Sequence, residues 1–346
     1  MQRSAAAISD GLKRVPPFPP VAVKLLSFLS NPAVDTNEVA DLIASDATFT
    51  ARVLQRVNSA EFGFITDVTN VRRAVALLGL DTTRQITLAQ AAAAYAQGGL
   101  KTETMRRCWQ HTVATAVLAE EIAAACGAFS SVAFTAGIMH DIGRLGLLVA
   151  YPEEYERVVR NAAERSLDVL DFEEEEFGAH HAEAGRMLAE QWGLPSEMAL
   201  IAGRHHDPCE GMELGLLRIV HVACRLADVL GYDVVKPLMP SNVSDVIAQL
   251  PPQAQERLCR APEELCERID QRIREFGSEP ADAPPEETLA LLASASVSDE
   301  PRPVNEEGAS AESDIEPGGP GRNRATVLWI VAGLCAVAAV AFWVFR

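Results

Sequence analysis

The feature that most constrains this chain is a helical hydrophobic period that persists from Phe18 to about Tyr232. Apolar residues recur at i, i+3 and i+4, and alternating β-branched runs are few, so the pattern is that of amphipathic helices rather than strands. Helix follows helix across short connections, which implies an all-α domain. Local punctuation agrees. DTNEVADLIASD opens with Asp35 and Glu38 at capping-box spacing. TNVRRAVALLG offers Thr69 as a cap and closes on Gly79, which suits a left-handed helix end. The stretch from Glu103 to Ala125 reads as one long helix, with Gly127 placed to end it.

Outside this core the composition changes. Residues 1–15 carry no continuous apolar stretch and read as a flexible amino terminus, not a secretory signal. Residues 233–276 form a helical extension, interrupted at Pro251-Pro252 and Pro262. Residues 277–324 are rich in Pro, Glu, Ser and Gly and carry a net charge of −8. Such a segment buries too little apolar surface to offset its ordering entropy, so an acidic disordered linker is expected there. Residues 325–345, ATVLWIVAGLCAVAAVAFWVF, contain no charge. A helix of that length spans about 31 Å, the thickness of a hydrocarbon core. Trp329 and Trp343 lie near its ends, where indoles favour the interface. Arg322 and Arg324 precede it and only Arg346 follows, so the expected topology is a tail anchor. The large amino-terminal domain is then cytoplasmic, on the inner membrane.

The chain carries a net charge of −18, of which −11 falls on residues 1–276. An acidic folded part argues against nucleic acid as a partner, because phosphate counterions must be replaced by Lys and Arg. The seven cysteines include no C-x-x-C pair, and several sit in apolar helical patterns such as HVACRLA. They read as reduced, mostly buried thiols.

Six of the seven histidines fall between positions 111 and 206: His111, then His140 in IMHDIGRLGL, then His180-His181, then His205-His206. Neutral imidazoles and carboxylates bind Fe, Mn or Zn, and an aspartate such as Asp141 can bridge two metals. A divalent pair acidifies a bound water and clamps phosphoester oxygens during displacement. Plainer readings exist for each residue. Asp141 can cap a helix while His140 bonds to backbone, and His205-His206 can be an exposed helix end stopped by Asp207-Pro208. The run Glu173 to Glu176 reads as a solvated helix start, where acids suit the positive end of the dipole. His221 reads as packed against Trp or backbone groups.

The order His, HDIG, H-x-x-x-G, HH resembles the HD superfamily of metal-dependent phosphohydrolases, and more closely its HDOD branch (HD-related output domain). PPFPPVAVKLLSFLSNP is similar to that family's proline-led first helix. LIASDATFTARVLQRVNSAEFGF, VRRAVALLGLDTTRQITL and EEEEFGAHHAEAGRMLAEQWGLP resemble its later segments, so the likeness covers residues 16–232. It implies an HD-superfamily-like helical bundle and places candidate metal ligands on His111, His140, Asp141, His181, His205 and His206. His181 is preferred to His180 because Gly185 lies four residues after it. Phosphohydrolases of the superfamily close the set with an aspartate, where this chain has Cys224; Asp228, one turn on, is the substitute the pattern offers. Cysteine suits zinc better than Fe or Mn. The Gly-Tyr-Pro loop of the cyclic-dinucleotide hydrolases is absent, and Arg144 stands where those enzymes usually have lysine. The resemblance implies a signal-transduction module that binds a protein partner, with a cyclic dinucleotide as an alternative ligand, and the stretch 325–345 is expected to tether it to the membrane. The rival expectation is a phosphohydrolase built on the six ligands.

Overall fold

Short polar side chains set the helix boundaries. The computed structural model describes residues 5–28, 34–60, 62, 67–96, 102–128, 130–165, 168–209, 211–235, 242–280 and 286–295. Among these there are α-helices and no strand. The amino-terminal part comprises α1 (Ala5–Leu12), α2 (Pro20–Ser27), α3 (Thr36–Ala44), α4 (Ala47–Val57), α5 (Val71–Leu78) and α6 (Leu80–Ala96). Next come α7 (Glu103–Ala125), α8 (Ser130–Met139), α9 (Ile142–Ala150), α10 (Pro152–Arg165) and α11 (Val169–Phe177). They are followed by α12 (His181–Gln191), α13 (Ser196–Arg204) and α14 (Leu216–Ala227). The last are α15 (Val243–Ile247), α16 (Pro252–Cys259), α17 (Pro262–Glu275) and α18 (Glu286–Ser294).

Asp35 caps α3 by accepting the Asn37 N–H at 3.1 Å. Asp46 caps α4 by accepting from Thr48 and Phe49 at 2.8 and 3.2 Å. The cap of α5 is Asn70, one residue after the expected Thr69; its Oδ1 accepts the Arg73 N–H at 3.0 Å. Either side chain suits the role, so the choice depends on where the chain turns into the helix. Asn58, just past α4, reaches across the following loop. Its amide donates to the Val68 carbonyl at 2.9 Å and its own carbonyl accepts the Val68 N–H at 2.7 Å. One side chain thus satisfies both backbone groups of a buried residue.

α7 is the central helix. It is buried on every side from Cys108 through Ala119, and packs against α8, α14, α16 and α17. Its surroundings explain a residue pattern with few charges after Arg107 until Glu120. At Gly137 of α8, an added Cβ would lie 2.4 Å from Ala116 Cα. The two backbones touch there, which brings the end of α8 beside the middle of α7.

Pro252 and Pro262 each occupy the first turn of their helices, α16 and α17, where a missing N–H is harmless. These helices join the same core, α16 through Ala254 and Leu258 and α17 through Leu265, Ile269 and Ile273. α18 lies inside the stretch expected to be a disordered linker, and its Leu292 is fully buried. The run TLALLA supplies enough helix-forming apolar residues to dock, which the acidic average over 277–324 concealed.

The stretch Ser130–Ala150 is long and apolar enough to cross a membrane, but 89% of its most apolar window is buried inside the domain. It is core. The expected span at 325–345 lies outside the described residues. Cys108, Cys209, Cys224, Cys259 and Cys266 are buried, and Cys126 is half-buried.

Candidate metal centre

Four chain segments deliver the polar cluster. His111 comes from the middle of α7, His140 and Asp141 from the α8–α9 junction, His181 from the first turn of α12, and His205-His206 from the end of α13. None of His111, His140, Asp141, Arg144, Glu173, His181 or His205 is more than 4% exposed. The structure brings all six candidate ligands of the sequence together, and adds Cys224 from α14. Three sets of donor atoms lie within 4.8 Å of one another: His111–His140–Cys224, His140–Asp141–His205 and His181–His205–His206.

The close approach of two helices makes this convergence possible. A Cβ on Gly143 would lie 2.0 Å from the His181 carbonyl oxygen and 2.2 Å from the Gly185 nitrogen. The glycine of HDIG therefore touches the backbone of α12, and Gly185, four residues after His181, gives it room. The two sequence patterns are two sides of one contact.

The outer ring nitrogens are committed. His111 Nδ1 faces the Tyr232 carbonyl at 3.2 Å, His140 Nδ1 the Gly137 carbonyl at 2.6 Å, and His205 Nδ1 the Ala202 carbonyl at 3.0 Å. A carbonyl only accepts, so each Nδ1 carries the proton and each Nε2 turns a lone pair inward. Burial, as the largest influence, pushes His111 down to about 4, His140 well below its usual value and His205 also down. All three are thus neutral at neutral pH. His111 Nε2 and His140 Nε2 face each other at 3.4 Å, with Cys224 Sγ also 3.4 Å from His111 Nε2. His205 Nε2 and Asp141 Oδ1, 3.6 Å apart, make no hydrogen bond. A cation between buried acceptors that face one another would satisfy them. The donor set fits a divalent metal.

The other side of the cluster is already charged. Arg144 donates from Nε to Asp141 Oδ2 at 2.8 Å and from Nη1 to the Tyr155 hydroxyl at 3.3 Å. Tyr155 donates to Glu173 Oε1, and Glu173 Oε2 receives both the backbone N–H and the Nδ1 of His181 at 2.7 Å. His181 Nε2 lies 3.2 Å from Asp141 Oδ1, 3.1 Å from Arg144 Nη2 and 2.9 Å from His206 Nε2. Burial acts to raise Glu173, but the charges of His181 and Arg144 and bonds from His181 and Tyr155 outweigh it and hold it at about 2. Burial and Arg144 act to lower His181, yet Glu173 and Asp141 outweigh them and raise it.

Several plain readings of the sequence give way here. Asp141 precedes α9 but makes no capping bond with its side chain; its carboxylate turns to Arg144 and the histidines. His205 is buried, not an exposed helix end. Glu173 is fully buried in the middle of α11, unlike its exposed neighbours Glu174 and Glu175. A run of four glutamates hides which one points inward, and only the helical position decides. Asp228 lies 3.3 Å from His111 Nδ1, on the outer side of the ring. Cys224, not Asp228, shares the inner face. His221 holds the His205 carbonyl at 2.8 Å, a backbone role. Tyr155 carried no motif and was invisible in the sequence.

Two clefts among the described residues open elsewhere. One of about 360 Å³ is lined by residues such as Ala133, Met198 and Leu216, the other of about 300 Å³ by Arg157, Arg165 and Phe172. Neither is lined by a histidine of the cluster.

Comparison with known proteins places this arrangement. A model of the HDOD domain matches residues 15–208. A protein of Treponema pallidum (strain Nichols) is 28% identical over 207 residues, which cover 59% of this chain and 40% of that protein. The chain thus spans less than half the length of this relative. An HDOD domain protein from Geobacter sulfurreducens superposes with a TM-score of 0.66 at 25% identity, over 79% of this chain and 96% of that one. A phosphohydrolase candidate from Shewanella amazonensis SB2B gives 0.52 at 20% identity, over 83% and 98%. A candidate signal transduction protein from Marinobacter aquaeolei VT8 gives 0.56 at 20% identity, over 84% and 66%. At 20% identity these two show the shared fold.

Proposed function

This chain belongs to the HDOD domain family, and from that premise we propose that it is a membrane-tethered regulatory module that signals by binding a protein partner and does not hydrolyse phosphoesters. One observation carries the reading. Asp141, the carboxylate through which a two-metal hydrolase would bridge its ions, is 1% exposed and already ion-paired with Arg144 at 2.8 Å. Phosphoester hydrolysis needs a water and a bulky anion at that carboxylate, and Arg144 already occupies one of its oxygens. A buried network with most of its bonds made rigidifies a core and favours one arrangement of helices.

A divalent ion in the cluster would be held by one of its donor sets, His111–His140–Cys224 or His140–Asp141–His205, and would supply charge to the facing lone pairs. The phosphohydrolase reading rests on the same donors. It is separated by assaying the full-length chain, purified in mild detergent, with bis(p-nitrophenyl) phosphate and cyclic dinucleotides in the presence of Mn, Fe or Zn. Rates indistinguishable from those of Asp141→Ala are expected. Turnover that disappears in Asp141→Ala would overturn the regulatory reading.

The tether is the charge-free stretch 325–345, with Arg322 and Arg324 holding the domain side in the cytoplasm. A reporter fused after Arg346 is expected on the far side of the membrane, and cytoplasmic reporter activity would sink the anchor.

A further inference from the structure

We infer that this chain holds a single soft metal ion, zinc(II) in character, on His111, His140 and Cys224, and that Arg144 serves as the built-in cation of the other half of the cluster. This deepens the reading of the cluster as a non-hydrolytic core and rests on it only for the location of the site.

The first half lacks a positive charge. His111 and His140 each spend Nδ1 on a backbone carbonyl, so their Nε2 lone pairs confront each other at 3.4 Å. The Cys224 thiol lies 3.4 Å from His111 Nε2 and carries one proton. One S–H can serve one lone pair and leaves the other unserved. A further buried acceptor, His205 Nε2, has no hydrogen-bond partner and shares His140 with this donor set. An ion between His111, His140 and Cys224 satisfies both facing lone pairs, and the thiol releases its proton to solvent as it becomes a thiolate ligand. Two imidazoles and a thiolate form a donor set suited to zinc and poorly matched to Mn or Mg, which prefer hard oxygen ligands.

The second half is complete without an ion. Its two carboxylates, Asp141 and Glu173, are answered by the Arg144 guanidinium and by His181, which both contact. Arg144 Nη2 stands 3.1 Å from His181 Nε2, the atom that a second metal would use. A divalent ion there would be pressed against a fixed guanidinium, and no spare negative charge remains to compensate it.

The full-length chain in mild detergent, stripped of metal and then offered Zn(II), Co(II) or Mn(II), tests this by elemental analysis after gel filtration and by the spectrum of the cobalt form. One zinc per chain is expected, and manganese should not be retained. The cobalt form should show a thiolate-to-cobalt charge-transfer band. Cys224→Ser, a near-isosteric change, should lose that band and bind zinc about 10-fold more weakly or worse. Cys224→Asp should shift preference toward manganese, and Arg144→Met, where it folds, should raise the count to two. Two ions on the wild-type chain, none, or one ion whose cobalt spectrum is unchanged in Cys224→Ser would each overturn the assignment. Turnover by a chain holding one thiolate-bound ion would sink the regulatory reading and leave this one. An inactive, metal-free chain would do the reverse.

Discussion

Replacing Gly143 by alanine is the sharpest test of how the cluster is assembled. The added Cβ would sit 2.0 Å from the His181 carbonyl oxygen, 2.2 Å from the Gly185 nitrogen and 2.7 Å from Gly185 Cα. All three are backbone atoms, so no rotamer change relieves the overlap. Helix α9 or α12 must retreat by about 1.4 Å before the nearest contact reaches 3.4 Å, the threshold of ordinary van der Waals distance. Overpacking a close-packed interior costs about 1–3 kcal/mol, and a rigid obstacle belongs at the upper end. Alanine gains about 1 kcal/mol over glycine in a helix interior, which leaves a net loss of about 2 kcal/mol. At about 2–4 °C per kcal/mol for a large domain, the melting temperature should fall by about 4–8 °C. Thermal unfolding followed by far-UV circular dichroism reads this directly. Gly146→Ala, one turn along α9, is the control. Its Cβ would meet Leu188 Cδ1 at 2.3 Å, the movable end of a side chain, so its net change should stay within about 1 kcal/mol. If Gly143→Ala melts no lower than Gly146→Ala, the backbone contact between HDIG and H-x-x-x-G does not govern the packing of α9 on α12.

Asn58→Ala should destabilise the domain by about 2–3 kcal/mol, because two bonds are lost and both backbone groups of buried Val68 are left unpaired; the shift in urea midpoint measures it, and an unchanged midpoint would refute the clamp. Asp46→Ala should cost about 1 kcal/mol through loss of the α4 cap, while Asp46→Asn should retain most of it. The acid limb of stability should depend on Glu173. Its folded value, about 2, lies below the ordinary 4.5, so its stabilisation of about 3 kcal/mol is present above about pH 4.5 and is lost as pH falls toward 2. The stability gap between wild type and Glu173→Gln should therefore narrow across that window, and a gap independent of pH would contradict the ion-paired arrangement.

The order of the histidines was legible because each sits at a recognisable point of a helical pattern. His111 falls within a long apolar helix, His181 precedes a glycine by four, and His205-His206 precede a helix-stopping Asp-Pro. Glu173 was not legible in the same way: four adjacent glutamates are equivalent until α11 is packed against α10 and α12. Tyr155 had no pattern to mark it as a partner of the cluster, and Arg144 was marked only by its place after HDIG, since their roles depend on reaching Glu173 and Asp141 from α10 and α9.

The sequence alone determined an all-helical domain, because the 3.6-residue period and its caps are local properties that survive without tertiary knowledge. It also determined the residue types available for a metal and the charge-free stretch at 325–345. Only the tertiary structure decided that Cys224 rather than Asp228 faces the His111–His140 pair, and that Arg144 lies against His181. Residues 224 and 228 share a face of one helix in sequence logic. Which of them meets the inner nitrogen of His111 depends on how α14 crosses α7, and the order of residues does not encode that angle locally.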